Sequence, residues 1–312
     1  MEISQPINFT RQRQILAAGL MVIAATCFSV KAVLIKLAYR YEVDSTSLLA
    51  LRMAFSTPIF ILVAWWNNRR QTRRMNAVKM SRQDLVKVAA LGLTGYYLAS
   101  FLDFYGLRYI SAGLERLVLF TYPTLVLLIS AAVLKKKVTR IQLISLGITY
   151  FGVLLVFADR AHLGNPGQFR TGALLIFGSA LAYAIYMVGS GTLLHRIGTL
   201  KFTSYAMTAA GAGVLIHHGI FYQWRLFHFV APVYYLSFAM AIIATVLPTF
   251  LVAECIRVIG ANNTSIISGI GPITTIIMAW FILGERVGPL QWAGTIFAIA
   301  GVLLISLKRQ GT

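Results

Sequence analysis

The sequence predicts an all-α polytopic membrane protein with ten transmembrane helices in two inverted five-helix repeats. Composition is the first observation behind that expectation. Of 312 residues, 58% are hydrophobic and only 12% are charged, and the mean hydropathy is +0.75. A soluble domain of this size carries about a quarter charged residues. Several stretches of about twenty residues hold few or no charges, the length needed to cross a ~30 Å hydrocarbon layer. A closed barrel would instead show alternating ~10-residue strands, a pattern this chain lacks. The third observation is an internal repeat. Residues 101–156 and 250–305 overlay without a gap at a constant offset of 149, with 13 of 56 positions identical. Arg108/Arg257, Ala112/Ala261, Pro123/Pro272, Gln142/Gln291 and Gly152/Gly301 are among the matches.

Apolar runs bounded by charges or turn residues give spans near 15–39, 46–66, 85–107, 111–134 and 140–158 in a first repeat, residues 1–158. Those of the second repeat, residues 159–312, lie near 171–191, 202–221, 232–256, 262–283 and 288–307. Ten spans put both termini on one side. That side holds 18 Lys and Arg, from Arg11 through the Arg69–Lys87 cluster and Lys135-Lys136-Lys137 to Arg309, and the other side holds six. Lys and Arg accumulate in cytoplasmic loops, so both termini are expected in the cytoplasm. Five spans per half is an odd number, so the halves are inverted. The loop charges agree: LKKKVTR falls on the cytoplasmic side, and its repeat partner LGERVGP falls outside. Inverted repeats suit a secondary transporter, because two opposed halves rock around one central site.

The formal charge of +19 sits almost wholly in short loops. It is read as an orientation signal, and no nucleic-acid partner is expected. Cys27 and Cys255 both fall inside apolar runs, so free buried thiols are expected in place of a disulfide framework. The N-terminal stretch has no cleavable-signal pattern, and the first span is expected to serve as an uncleaved anchor.

LLALRMAF in the second span, LRYISAGL before the fourth, mid-helix Pro123 and Pro272, Lys36 closing the first span and the terminal LGERVGPLQWAGTIFAIAGVLLI carry a resemblance. Over residues 15–307 the chain resembles the drug/metabolite transporter superfamily, in particular its ten-span members built from two EamA-type domains. The resemblance implies a multi-pass protein of the bacterial inner membrane that moves small organic solutes. It favours export of amino acids or other metabolites, and places a central cavity among spans 1, 3, 4, 6, 8 and 9. Lys135-Lys136-Lys137 replace the first copy of the GER turn, and Asp103, Glu115 and Arg116 stand where many members carry small or apolar residues.

Ionisable groups at membrane depth are costly and tend to face a cavity or a partner. At about 1.5 Å per residue Lys31 lies roughly 12 Å from the outer end of its span, too deep to reach the headgroups, whereas Lys36 can snorkel. Arg52 lies about 9 Å down the second span and is read first as a tether to carbonyls or a carboxylate. Glu115 and Arg116 open the fourth span, and Glu115 shares a face with Leu119 and Tyr122. Tyr122 precedes Pro123, which removes a backbone hydrogen bond and frees carbonyls beside a phenol. Asp103 is placed to neutralise Lys31, Arg52 or Arg116. The candidate substrate-binding set is Lys31, Tyr97, Asp103, Glu115, Arg116, Tyr122, Tyr183, Tyr186 and Trp280, with Tyr96 as a further aromatic. Structural ion pairing and helix packing are the alternatives for these side chains. Pro123, Pro248, Pro272 and Glu254 are the kink and gate candidates, Glu254 having an interfacial pair with Arg257 as its alternative. The cationic excess of the outer half favours an amino acid or organic anion as partner, with protons as a second candidate.

The competing classes are a membrane-embedded enzyme and a channel. HExxH is missing, Met187-Val188-Gly189-Ser190-Gly191 fails the Gly-x-Ser-Gly pattern, and no Walker A loop exists, so no catalytic residue, metal or cofactor is expected. A channel would want rings of filter residues in a symmetric oligomer.

Overall fold

A computed structural model describes residues 11–73, 80–134, 140–160, 166–285 and 288–307, and among these every regular element is helical. The helices are α1 (Arg11–Tyr39), α2 (Ser45–Arg73), α3 (Arg82–Gly92), α4 (Ala99–Gly106), α5 (Ala112–Leu119), α6 (Tyr122–Leu134), α7 (Arg140–Arg160), α8 (Pro166–Ile197), α9 (Thr199–Tyr222), α10 (Ala231–Ala241), α11 (Leu247–Ile267), α12 (Gly271–Met278) and α13 (Pro289–Leu307). π-Helical turns at Leu93–Leu98, Ile242–Val246 and Ala279–Leu283 and a 3₁₀ turn at Ser268–Ile270 join the shorter pieces.

Each expected span coincides with helix, and among the described residues six stretches are by themselves long and apolar enough to cross a membrane. They are Arg11–Tyr39, Ser45–Arg70, Arg82–Gly106, Ala112–Val133, Gly167–Ile197 and Ala231–Ser265. The last is longer than one crossing needs, and the backbone divides it: Gly260 has φ 79° and ψ 162° inside α11. A side chain there would strain the left-handed backbone, so glycine permits the break.

The other interruptions also have local causes. Proline lacks an N–H, and its ring clashes with the carbonyl four residues back. Before Pro123, α5 ends at Leu119 and α6 restarts at Tyr122. Before Pro248 the helix widens into the π turn Ile242–Val246, and before Pro272 it tightens into the 3₁₀ turn at Ser268. Polar side chains fix helix starts: Asp44 accepts from the amides of Thr46 and Ser47 at α2, Ser81 and Asp84 form a reciprocal capping box at α3, and Ser111 accepts from Leu114 at α5. The basic loop clusters Arg74–Lys79 and Lys135-Lys136-Lys137 lie outside the described residues.

Helix pairing follows a pattern. The principal partners are α7 with α13, α2 with α9, α1 with α11 and α12, and α8 with α4 and α6. Small residues allow the approach: a Cβ on Gly92 would run into the Ala206 backbone, and one on Gly211 into the Thr57 hydroxyl. In a lipid setting helices associate by such close packing, since lipid tails are as apolar as leucine.

Candidate functional site

Where α1, α4, α5, α8 and α11 converge they form a partly open cavity. Its wall carries the cations Lys31, Arg52 and Arg116 and the carboxylate Asp103. Tyr96, Tyr122 and Tyr183 supply aromatic faces, and Ser100, Ser179, Thr245, Thr249 and Ser268 supply hydroxyls. Met21, Ala25 and Phe28 line the α1 side.

The charges are held by side chains from several elements. Lys31 Nζ on α1 lies 2.5 Å from Asp103 Oδ2 on α4 and 3.9 Å from Glu115 Oε1 on α5. Asp103 is 1% exposed, Glu115 is fully buried, and Lys31 retains 12%, so Lys31 is the most exposed of the trio and shares the cavity wall with Asp103, while Glu115 stands behind them. Arg52 donates to Ser100 Oγ at 2.9 Å, and its guanidinium stands 4.8 Å over the Phe104 ring. Arg116 packs against Gly271, whose missing side chain leaves it room. Tyr122 Oη, at the start of α6, and Ser268 Oγ, in the 3₁₀ turn before Pro272, hydrogen-bond to each other. Tyr183 sits edge-on to Tyr122 at 5.3 Å and stacks on Tyr186 at 5.9 Å.

Of the nine candidate binding residues, Lys31, Asp103, Arg116, Tyr122 and Tyr183 meet at the cavity wall. Glu115 stands behind Lys31. Tyr186 is fully buried beneath Tyr96 and Tyr183. Tyr97 points to α9, where its hydroxyl bonds His217 Nδ1 at 2.8 Å. Trp280 is 56% exposed on the bundle surface beside Phe281. Arg52, Ser100, Ser179, Thr245, Thr249 and Ser268 line the wall without having been proposed for it. Thr245 and Thr249 are one helical turn apart in an apolar run, a signal the sequence did contain.

Toward the loop end shared by α2, α8, α9 and α11, Glu254 accepts from Thr199 Oγ1 at 2.6 Å and pairs with Arg257. Asn67, Gly198 and Lys201 complete a shallower pocket there. At the opposite end Glu285 accepts from the amides of Ala112 (2.9 Å) and Gly113 (3.2 Å), so it caps α5 one turn from Glu115. Lys36, half-buried, lies within electrostatic reach of both carboxylates. Among the described residues no cluster of three or more His, Cys, Asp and Glu side chains is arranged to hold a metal.

Comparison with known proteins carries the site into a family. The uncharacterized transporter YcbK of Bacillus subtilis (strain 168) is 32% identical over 302 residues, covering 94% of this chain and 95% of the relative. An S-adenosylmethionine/S-adenosylhomocysteine transporter of Chlamydia trachomatis serovar L2 is 25% identical, covering 74% and 72%. A probable terminal-alkyne amino-acid exporter of Streptantibioticus cattleyicolor is 26% identical, covering 73% and 75%. A solved crystal structure superposes with a TM-score of 0.67 over 97% of this chain and 100% of the other, at 15% identity, and so shares the fold. The EamA-like transporter family model matches residues 15–158 and again 170–307, and with these relatives it shows that the chain is a multi-pass membrane transporter belonging to the EamA-like family of the drug/metabolite transporter superfamily.

Proposed function

We propose that the protein is a secondary active carrier with ten spans, cytoplasmic termini in the bacterial inner membrane, and two inverted halves that alternate access to one cavity. Its cargo is a small solute bearing a carboxylate, an amino acid or an organic anion, and export is the favoured direction. One observation carries the substrate class: three cations, Lys31, Arg52 and Arg116, line the cavity against one lining carboxylate, Asp103. In a water-poor site such an excess favours an anion, and repels a cationic drug. The tyrosine faces accept the organic part of the solute.

Helix pairing supports the inverted halves. Exchanging each span for its counterpart five along turns the α1–α11 contact into α8–α4, and α1–α12 into α8–α6, while α2–α9 and α7–α13 map onto themselves. One relative adds chemical precedent, being named for an amino acid, a metabolite with a carboxylate.

Flux in liposomes made with the purified protein tests the reading. L-Methionine, L-glutamate, succinate and S-adenosylmethionine form the panel, with ethidium as the cationic drug. Saturable movement of at least one carboxylate solute and none of ethidium is expected. Ethidium flux alone, or no saturable flux, overturns it. Single cysteines in intact cells test the orientation: Asn165→Cys should react with an impermeant thiol reagent and Thr72→Cys should not. The reverse pattern sinks the proposed topology.

A further inference from the structure

Asp103 and Glu115 meet side by side in the bundle interior. Both Glu115 oxygens and Oδ1 of Asp103 are buried without any N–H or O–H donor among the described residues. Lys31 is shared, and Asp103 takes the short contact. Two ionised carboxylates in this position would leave one negative charge shut away from water with neither a cation nor a donor of its own. That arrangement costs several kcal/mol or more. A proton on one carboxyl removes the repulsion and supplies the missing donor for the contact between them. Like-charged carboxyls that share a site behave in this way.

We propose that Asp103 and Glu115 form a carboxyl pair holding one exchangeable proton, and that this proton favours binding of the transported anion. The second half rests on the carrier reading above. With the pair singly protonated, Lys31, Arg52 and Arg116 leave the site at a net charge of about +2. Without the proton the net charge is about +1. A proton on the pair and an anion in the cavity therefore strengthen each other, and by linkage each raises the affinity for the other equally. No covalent step is involved: the proton exchanges between the pair and water in the cavity.

The surroundings fit an isolated pair. Charges reach Glu115 from Lys31 and Lys36 on α1, from Asp103 on α4 and from its own neighbour Arg116. Glu285, from the turn before α13, is occupied by the α5 amides. Of the other helices packed on α5, α12 has no ionisable residue. α8 carries Tyr183 and Tyr186 centrally, Arg170 near one end, and His195 and Arg196 near the other. α7 carries Arg140, Tyr150, Asp159 and Arg160.

Infrared spectroscopy on the full chain in nanodiscs reads the carbonyl stretch of a protonated carboxyl without any substrate. At neutral pH the parent should show such a band, lost both in Glu115→Gln and in Asp103→Asn, because either variant leaves one carboxylate for Lys31. Glu42→Gln, at an exposed turn, should keep it. Lys31→Met should strengthen the band, since the second carboxyl then loses its cation; that variant decides the matter if either carboxyl variant fails to fold. Absence of the band at neutral pH, or its survival in both pair variants, overturns the proton site. Any panel solute that proves to be carried should move the band's disappearance to higher pH by at least half a unit. A carried solute that leaves it unmoved overturns the coupling. If no solute is carried, the carrier reading and the coupling fall, while the band still decides the proton site.

Discussion

The two copies of the repeat share a backbone plan and divide the chemistry unequally. The first copy carries Asp103, Glu115, Arg116, Phe120 and Tyr122; at the offset of 149 the second has Val252, Thr264, Ser265, Gly269 and Gly271. The difference is complementary in space. Arg116 packs on Gly271, and the Phe120 ring meets Gly269, its own counterpart, with Cζ 3.0 Å from where a Cβ would stand. Tyr122 bonds Ser268. Two symmetric halves with large charged side chains at both places would collide and bring like charges together. Divergence therefore lets one half hold the charged groups of the cavity wall while the other makes room for them.

The sharpest break of this comparison comes from the charged members. If the cavity cations bind the solute's negative group, Lys31→Met and Arg116→Ser should each weaken binding of a carried anion more than tenfold, about 1.4 kcal/mol or more. Arg116→Ser places the second copy's residue in the first. Equal transport in parent and variants, measured as the solute concentration giving half-maximal flux, would make both cations structural.

Packing gives a smaller and independent test. Phe120 is 2% exposed, so Phe120→Ala should cost about 3 kcal/mol by loss of contacts and a residual void, read as a lower midpoint of thermal unfolding. Gly269→Phe should also destabilise, by overpacking against the ring already present. Combining Gly269→Phe with Phe120→Gly should recover part of the loss, because the ring then fills the same space from the other half. Losses that simply add would show that the local symmetry is too poor for the exchange.

How much of this was legible beforehand depends on the kind of residue. Lys31, Asp103, Glu115 and Arg116 stand out because a charge inside an apolar run has few tolerable places to be. Tyrosines carry no such signal. Tyr96 and Tyr97 are neighbours in an apolar stretch, and a π-helical turn at Leu93–Leu98 sets which one faces the cavity. A widened turn shifts the helical register, and a 3.6-residue period cannot anticipate it. Trp280 lies in the similar turn Ala279–Leu283 and faces outward. The prolines were readable because a missing N–H acts locally: interruptions directly precede Pro123, Pro248 and Pro272. Apart from the one-turn spacing of Thr245 and Thr249, the serines and threonines of the cavity wall do not stand out, because such residues are frequent in membrane helices and return hydrogen bonds to their own backbone, as Thr249 does to Thr245.

The smallest effect separates the two ends of the bundle. Glu285 accepts from two amides at the start of α5, where the helix dipole adds to the hydrogen bonds. Glu254 is 32% exposed and pairs with Arg257 three residues along its own helix. A helix-terminal carboxylate with two amide donors is worth about 1 kcal/mol, while an exposed pair along one helix is worth a few tenths. Glu285→Gln keeps an acceptor and removes the charge, so it should lower stability by roughly half to one kcal/mol. Glu254→Gln should shift the unfolding midpoint by less. High salt should widen the gap slightly, since screening acts mainly on the exposed pair, which contributes little at any ionic strength. If Glu254→Gln is the more damaging of the two, the contact with Thr199 at that end holds the helices together more firmly than its exposure suggests, and the two ends exchange roles in the comparison.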